Sequence, residues 1–390
     1  MHMSLALGTR HGCVMQSEIR TMSIACAKAG GINLSQGVCD TPVPREVSGS
    51  VARAVAEGCN TYTHYAGLKA LREAIALKQK RFSGQDVDPE SEVIVSAGAT
   101  GAMYCAFQAL LSPGDEVIVF EPFYGYHVST LVAAEAVPVS VPLALPGWSF
   151  TAHDLERAVT SRTRGIIVNT PANPSGKVFS REDLEVIAAF AERYDLFVFT
   201  DEIYEHFLYD GHRHTSFASL PGMKARTITV SGFSKTFSIT GWRLGYAICD
   251  ARWASAIGYF NDLVYVCAPS PLQAAVAEGM RLLDDSYYRA LSREYVKKRD
   301  RFCDALRQAG LSPHVPEGAY YVLADTGDLP WRSATRKAMY ILEKTGLASV
   351  PGSAFFSEGR GDDLVRFCFA KEDAVLDEAC RRLALLRKES

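Results

Sequence analysis

Apolar positions along the chain follow two alternating rhythms. From Leu68 the spacing is helical, with Leu68, Leu71, Ile75 and Ala76 on one face. A short strand-like run, Glu92–Val95, then meets Ala97-Gly98-Ala99-Thr100-Gly101 and passes into a helical stretch ending at Leu111. Pro113-Gly114-Asp115 marks a turn before the apolar run Val117–Phe120. Further strand-like runs stand at Gly165–Asn169, Leu196–Thr200, Thr227–Ser231 and Gly245–Cys249. Helical runs separate several of them; Arg181–Arg193 follows Ser180, a good N-cap residue. Strands alternating with helices predict βαβ units and a largely parallel sheet buried on both faces, hence an α/β fold. Past Leu272 the character shifts to long charged helices, Tyr287–Gln308 and Arg332–Lys344, with short strands between. The opening ~30 residues show no clear period and hold Gly8, Gly12, Gly30 and Gly31, which predicts an arm lying over the body.

At 390 residues the chain exceeds the size at which one core stops growing, so two domains are expected. The division is a large domain over 46–285 and a smaller α+β domain combining 1–45 with 286–390. An apolar share of 48% excludes a disordered chain. A net charge of −3 without any extended Lys/Arg run leaves out the electrostatic footprint of a nucleic-acid binder. Met1–Arg10 is too short and weakly apolar for a signal peptide, and the apolar stretch Leu131–Leu145 holds Glu135 and two prolines, which a membrane span disfavours. A soluble, cytoplasmic protein with no membrane or nucleic-acid partner is expected. The ten cysteines form neither a CxxC pair nor a Cys/His cluster, so they read as reduced core residues. Asp210-Gly211-His212-Arg213-His214 has a metal-like composition but reads as a surface loop, and no metal is expected.

Sheets of this kind bind ligands beyond the carboxyl ends of their strands. The Gly98-Ala99-Thr100-Gly101 turn lies between a strand and a helix, where free N–H groups and the helix dipole favour a phosphate. Neither GxGxxG nor GxxxxGK[ST] occurs, so a nicotinamide dinucleotide or a nucleoside triphosphate has no written site. Three strand ends carry polar groups: Asn169-Thr170-Pro171-Ala172-Asn173-Pro174-Ser175-Gly176; Asp201-Glu202-Ile203-Tyr204; and Ser231-Gly232-Phe233-Ser234-Lys235-Thr236, followed by Thr240-Gly241-Trp242-Arg243-Leu244-Gly245-Tyr246. Singly, Asn173 could initiate a turn, Asp201 could cap a helix, Lys235 could be solvated and Arg243 could pair structurally. Together they supply what pyridoxal phosphate requires. A lysine amine bonds the aldehyde and then moves a proton. A carboxylate keeps the pyridine nitrogen protonated so that the ring accepts electrons, and an arginine with a helix N-terminus holds the phosphate.

The sequence resembles the class I/II aminotransferases, fold type I enzymes dependent on pyridoxal phosphate and including aspartate, aromatic and kynurenine aminotransferases. Gly232-Phe233-Ser234-Lys235 through Arg243-Leu244-Gly245 fits the family's lysine-attachment pattern. The likeness runs from Leu34-Ser35-Gln36-Gly37 to Arg366-Phe367-Cys368-Phe369. It implies a large domain with a mostly parallel sheet and a smaller α+β domain. It also implies ping-pong transfer of an α-amino group to a 2-oxo acid through a Schiff base on Lys235. By the same resemblance, Asp201 pairs with the pyridine nitrogen, and Tyr204 and Asn173 bond the ring oxygen. Arg243 grips the phosphate with the N–H groups of Ala99 and Thr100 and with Ser231 or Ser234, while Tyr124 stacks on the ring. Arg366 binds the substrate α-carboxylate beside Gly37 and Asn173. Tyr62, with Tyr65 as the competing assignment, reaches the phosphate of a neighbouring subunit, which implies a homodimer. A C–S lyase or a cyclopropane-forming enzyme on the same fold is the alternative outcome, since the motifs hold only the cofactor and the α-carboxylate. Tyr65, Tyr124 and Tyr126 lean the side-chain pocket toward neutral or aromatic substrates.

Overall fold

The computed structural model describes residues 17–387 apart from 328 and 358, so Met1–Arg10, Gly8, Gly12 and Cys13 lie outside the described residues. Seven strands form the main sheet: β1 Val93–Ala97, β2 Glu116–Glu121, β3 Val137–Pro142, β4 Thr163–Asn169, β5 Phe197–Asp201, β6 Thr227–Gly232 and β7 Leu244–Ile248. Their spatial order is β1-β7-β6-β5-β4-β2-β3. Only β7 runs against its neighbours, and every other pairing is parallel.

Alternation along the strands builds a core on each face. Val117, Val119, Ile167, Phe199 and Val230 point to the side where helix Gly98–Leu110 buries Ala102, Met103 and Phe107. Ile118, Phe120, Ile166, Val168 and Val198 point to the other, against Leu184, Ile187 and Phe190 of helix Arg181–Arg193. That helix starts where expected: Ser180 Oγ accepts from Asp183 N at 3.1 Å, and Ser180 N donates back to the Asp183 carboxylate at 3.2 Å. The sequence pattern passed over β3 because its alternating run, Val-Pro-Val-Ser-Val-Pro, carries two residues that cannot donate to a ladder. Such a strand survives only at an edge, where β3 lies.

A second, antiparallel sheet comprises β8 Ser312–His314, β9 Tyr321–Asp325, β10 Val350–Pro351 and β11 Leu364–Cys368, in the order β10-β11-β9-β8. Helices Asp285–Gln308, Ala334–Thr345 and Asp373–Leu383 pack beside it. Within the opening segment, where no clear period was visible, residues Glu18–Lys28 form an α-helix. Its buried stripe is only Met22 and Cys26, one turn apart, too narrow to stand out as a period. Beyond it, Ile32–Asn33 pair in parallel with Leu347–Ala348, and Leu34 O accepts from Cys368 N at 2.8 Å. The opening segment is thereby woven into the second sheet's layer.

One buried ion pair ties helix Lys69–Ser83 to the main sheet. Lys78 Nζ lies 2.5 Å from Glu205 Oε1 and donates to Tyr246 Oη at 2.8 Å, while Ser231 Oγ donates to the same Glu205 oxygen at 2.9 Å. Burial alone would raise the Glu205 carboxyl, but the Lys78 ammonium overrides it and holds the pKa down to about 2, against an ordinary 4.5. The pair's stabilisation is therefore complete above about pH 4.5 and is lost as pH falls through the folded value near 2. Replacing Lys78 by Met strands a buried carboxylate and should cost about 3–5 kcal/mol at neutral pH. Denaturant unfolding at pH 7 and pH 3 checks both parts: the gap between wild type and Lys78→Met should narrow on the acid side.

Candidate active site

Because β4, β5 and β6 run in parallel, their carboxyl ends share one edge of the sheet. Asn169 at the end of β4 sits in register with Asp201 at the end of β5. The Asn169 side chain organises this corner: its Nδ2 donates to Asp201 O at 2.9 Å, and its Oδ1 accepts from Asn173 N at 2.8 Å. The turn that follows thus presents Asn173, which is buried.

Asp201 is buried, with one carboxylate oxygen 2.9 Å from His127 Nε2 and the other accepting from Ile203 N at 3.2 Å. His127 lies one turn beyond Tyr124, on the buried face of helix Gly125–Ala133. The Tyr124 ring stands edge-on to His127 with centroids 5.2 Å apart and stacks with Tyr126 at 5.3 Å. Tyr204 Oη lies 2.9 Å from Tyr321 Oη. Burial pushes the Tyr204 and Tyr124 phenols well above their usual pKa, so both are neutral hydroxyls at physiological pH. Sequence reasoning missed His127, Tyr321 and Tyr320; a lone histidine on an otherwise apolar helix face was the one available signal.

Lys235 Nζ donates to Gly37 O at 2.9 Å and lies 5.8 Å from the centre of the Tyr320 ring. Desolvation pulls its pKa below the usual lysine value; nearby Cys39, Cys368 and Asp201 oppose that shift and Arg243 adds to it. Arg243 takes a left-handed backbone conformation at φ 55°, and its Nη1 donates to Thr240 O at 3.0 Å. Its guanidinium lies against Gly98, where a Cβ would overlap it. The helix starting at Gly98 has no side-chain cap, so its first-turn N–H groups, including those of Ala99 and Thr100, have no side-chain acceptor at the helix end that the guanidinium packs against. Ser234 is buried next to Lys235. The Ser231 hydroxyl donates to Glu205 Oε1 at 2.9 Å and lies 3.4 Å from the Glu202 carbonyl oxygen.

Arg366, on β11, is fully buried. Its Nη1 donates to Asn173 Oδ1 at 2.9 Å and its Nη2 to Ser35 O, while Nε finds no hydrogen-bond partner. The guanidinium lies 4.3 Å from the Tyr321 ring centre and 4.8 Å from that of Phe355. Gly37 O accepts from both Lys235 and Tyr320, which places the Gly37 segment between the lysine and the second sheet. The two tyrosines of the early motif separate cleanly. Tyr62 is 80% exposed, whereas Tyr65 is half-buried against His64 and Tyr259. In the 210–214 stretch, Asp210 pairs with Arg299 and His214 with Glu202, so those side chains serve separate partners.

The arrangement fits pyridoxal phosphate. A buried carboxylate stands at the strand edge, a desolvated amine donates to a neutral carbonyl, and a guanidinium packs at an uncapped helix start suited to an anion. The family model for aminotransferase class I and II matches residues 29–383. The chain is 38% identical over 376 residues to a probable N-succinyldiaminopimelate aminotransferase of Mycobacterium tuberculosis, covering 94% of each. It is 36% identical to kynurenine–oxoglutarate transaminase 3 of Rattus norvegicus, over 89% of this chain and 83% of that one. A solved Escherichia coli structure described as having a methionine aminotransferase function superposes with a TM-score of 0.93 at 32% identity, covering 98% of this chain and all of that one. A desolvated lysine at such a strand edge and a family match over nearly the whole chain lead to one conclusion: this chain belongs to the class I and II aminotransferases, pyridoxal-phosphate-dependent enzymes working by a Schiff-base ping-pong mechanism.

Proposed function

We propose that the amino donor and acceptor are α-amino and 2-oxo acids with neutral or aromatic side chains, and that the strand-edge residues divide the chemistry as follows. The observation that carries the reading is Lys235, a desolvated amine whose hydrogen bond goes to the uncharged Gly37 carbonyl. A lowered pKa leaves more of the neutral nucleophile at working pH. When bound, pyridoxal phosphate supplies an aldehyde for that amine and a ring that accepts the electrons left when Cα loses its proton. Lys235 is the residue that would hold the cofactor through that aldehyde, and its amine, once free, would serve as the base that moves the substrate's Cα proton.

Asp201 would keep the ring nitrogen protonated, with His127 holding that carboxylate in place. Tyr204 and Asn173 would donate to the ring oxygen; a neutral buried phenol suits that task. Arg243, the Ala99 and Thr100 N–H groups and Ser234 would hold the phosphate, and Tyr124 would stack on the ring. Arg366 receives the α-carboxylate as a two-pronged pair. Asn173 and Gly37 frame it.

We also read the active form as a homodimer in the cytoplasm, with Tyr62 reaching the phosphate in the neighbouring site; its exposure in a single chain supports this. The large body spans 46–285 and the smaller one combines 1–45 with 286–390, a division supported by the pairing of residues 32–33 with 347–348. Aromatic rings around Arg366 and Tyr124, with no second arginine matched to a side-chain carboxylate, favour neutral substrates.

Two measurements test these roles. Single-turnover spectra against individual amino acids, without a 2-oxo acid, should show loss of the resting cofactor band with one equivalent of 2-oxo acid for neutral or aromatic donors. Lys235→Ala should lower that rate by more than about 1,000-fold; near-normal turnover would refute its assignment. Gly37→Ala should also be harmful, because a Cβ there would overlap the Tyr321 hydroxyl that meets Tyr204. Displacement on the ångström scale predicts a fall in kcat/KM of about 100-fold, measured under the same conditions.

A further inference from the structure

Glu121, at the end of β2, is 1% exposed, yet it is not among the groups assigned to the cofactor or to the substrate. Burying a carboxylate is costly unless it is fully hydrogen-bonded or paired. Its partners all come from one turn of the second sheet's connection, between β10 and β11. Ser357 N donates to Glu121 Oε2 at 3.1 Å and Ser357 Oγ at 2.6 Å; Arg360 Nη2 donates at 3.0 Å and its Nε lies 2.8 Å from Oε1. The next residues of both segments join as well, for Phe123 N donates to Phe355 O at 2.9 Å.

The base of the turn is tight: Gly352 and Gly361 approach so closely that a Cβ on Gly352 would overlap the Gly361 carbonyl, and Gly361 has φ +79°. What the turn carries into the site is the Phe355 ring, 4.8 Å from the Arg366 guanidinium. That ring covers a cation with no carboxylate partner among the described residues. Glu121 thus ties the segment leading to Tyr124 to the segment leading to Arg366.

We propose that Glu121 is a positioning residue for substrate binding: by clamping Ser357 and Arg360 it fixes Phe355 beside Arg366, and so sets the affinity for the α-carboxylate rather than the rate of proton transfer. The proposal rests on the reading of Arg366 as the carboxylate ligand. A tie that served stability alone would not separate binding from rate.

Stopped-flow half-reactions of the cofactor-loaded enzyme with L-methionine and L-phenylalanine make the test, with Arg366→Gln as reference. Glu121→Gln should raise the apparent Kd for the donor about tenfold, with the limiting rate within about threefold of wild type. The pH titration of the resting cofactor band should not move. Arg360→Met, at a side chain 42% exposed and so tolerant of change, should shift Kd the same way by about threefold and keeps the test open if Glu121→Gln folds poorly. Wild-type Kd in both variants, while Arg366→Gln binds at least tenfold more weakly, would overturn the role of Glu121 alone. A fall in limiting rate at unchanged Kd would overturn it too. Normal donor binding by Arg366→Gln would instead remove the reading of Arg366 and the proposal with it.

Discussion

A guanidinium buried without a counter-charge among the described residues is the constraint around which the site is arranged. Arg366 is sealed from solvent, its two terminal nitrogens satisfied only by an amide oxygen and a backbone carbonyl, with two aromatic rings alongside. In a medium of low dielectric such a cation is unfavourable until an anion arrives, and a planar carboxylate fits its fork. The same desolvation that makes the empty state costly strengthens the pair once formed. On the proposed reading, affinity for an amino acid's carboxylate is written into this one buried residue.

The opposite wall of the site follows the same logic with the signs exchanged. Asp201 is a buried carboxylate on the central sheet, kept by His127 and a backbone N–H, and it is suited to a protonated ring nitrogen. Lys235 stands between the two, its amine pushed toward neutrality by desolvation. Asn173 links the walls directly, being placed by Asn169 beside Asp201 while its own side chain accepts from Arg366. The parallel sheet makes this possible, since it ends β4, β5 and β6 at one edge where polar groups can face a ligand instead of a helix.

Those parts of the site carried by short segments were legible from sequence. Lys235 and Arg243 belong to one run, and Asp201 and Tyr204 share a strand end. What sequence did not reveal are partners delivered by the fold: His127 comes to Asp201 across 74 residues, and Tyr321 to Tyr204 across 117. The partner of Ser231 was equally hidden: its hydroxyl donates to Glu205 of the Lys78–Glu205 pair, which the fold brings beneath the strand. The parallel strands were visible as continuous apolar runs, whereas β3 and the Glu18–Lys28 helix were not, one masked by prolines and the other by a stripe of two residues.

Glu121 brings these strands of argument together. Nothing local distinguishes it from an ordinary strand-end acid before Pro122, and its meaning depends on a turn more than 230 residues later in the chain. Both side chains are buried, yet their partners differ: Glu121 pairs with Arg360 and accepts hydrogen bonds from Ser357, while Arg366 pairs with no acid among the described residues. Pairing the acid with Arg360 holds the turn in place, and on the proposed reading of Arg366 that leaves its guanidinium for the substrate to pair with.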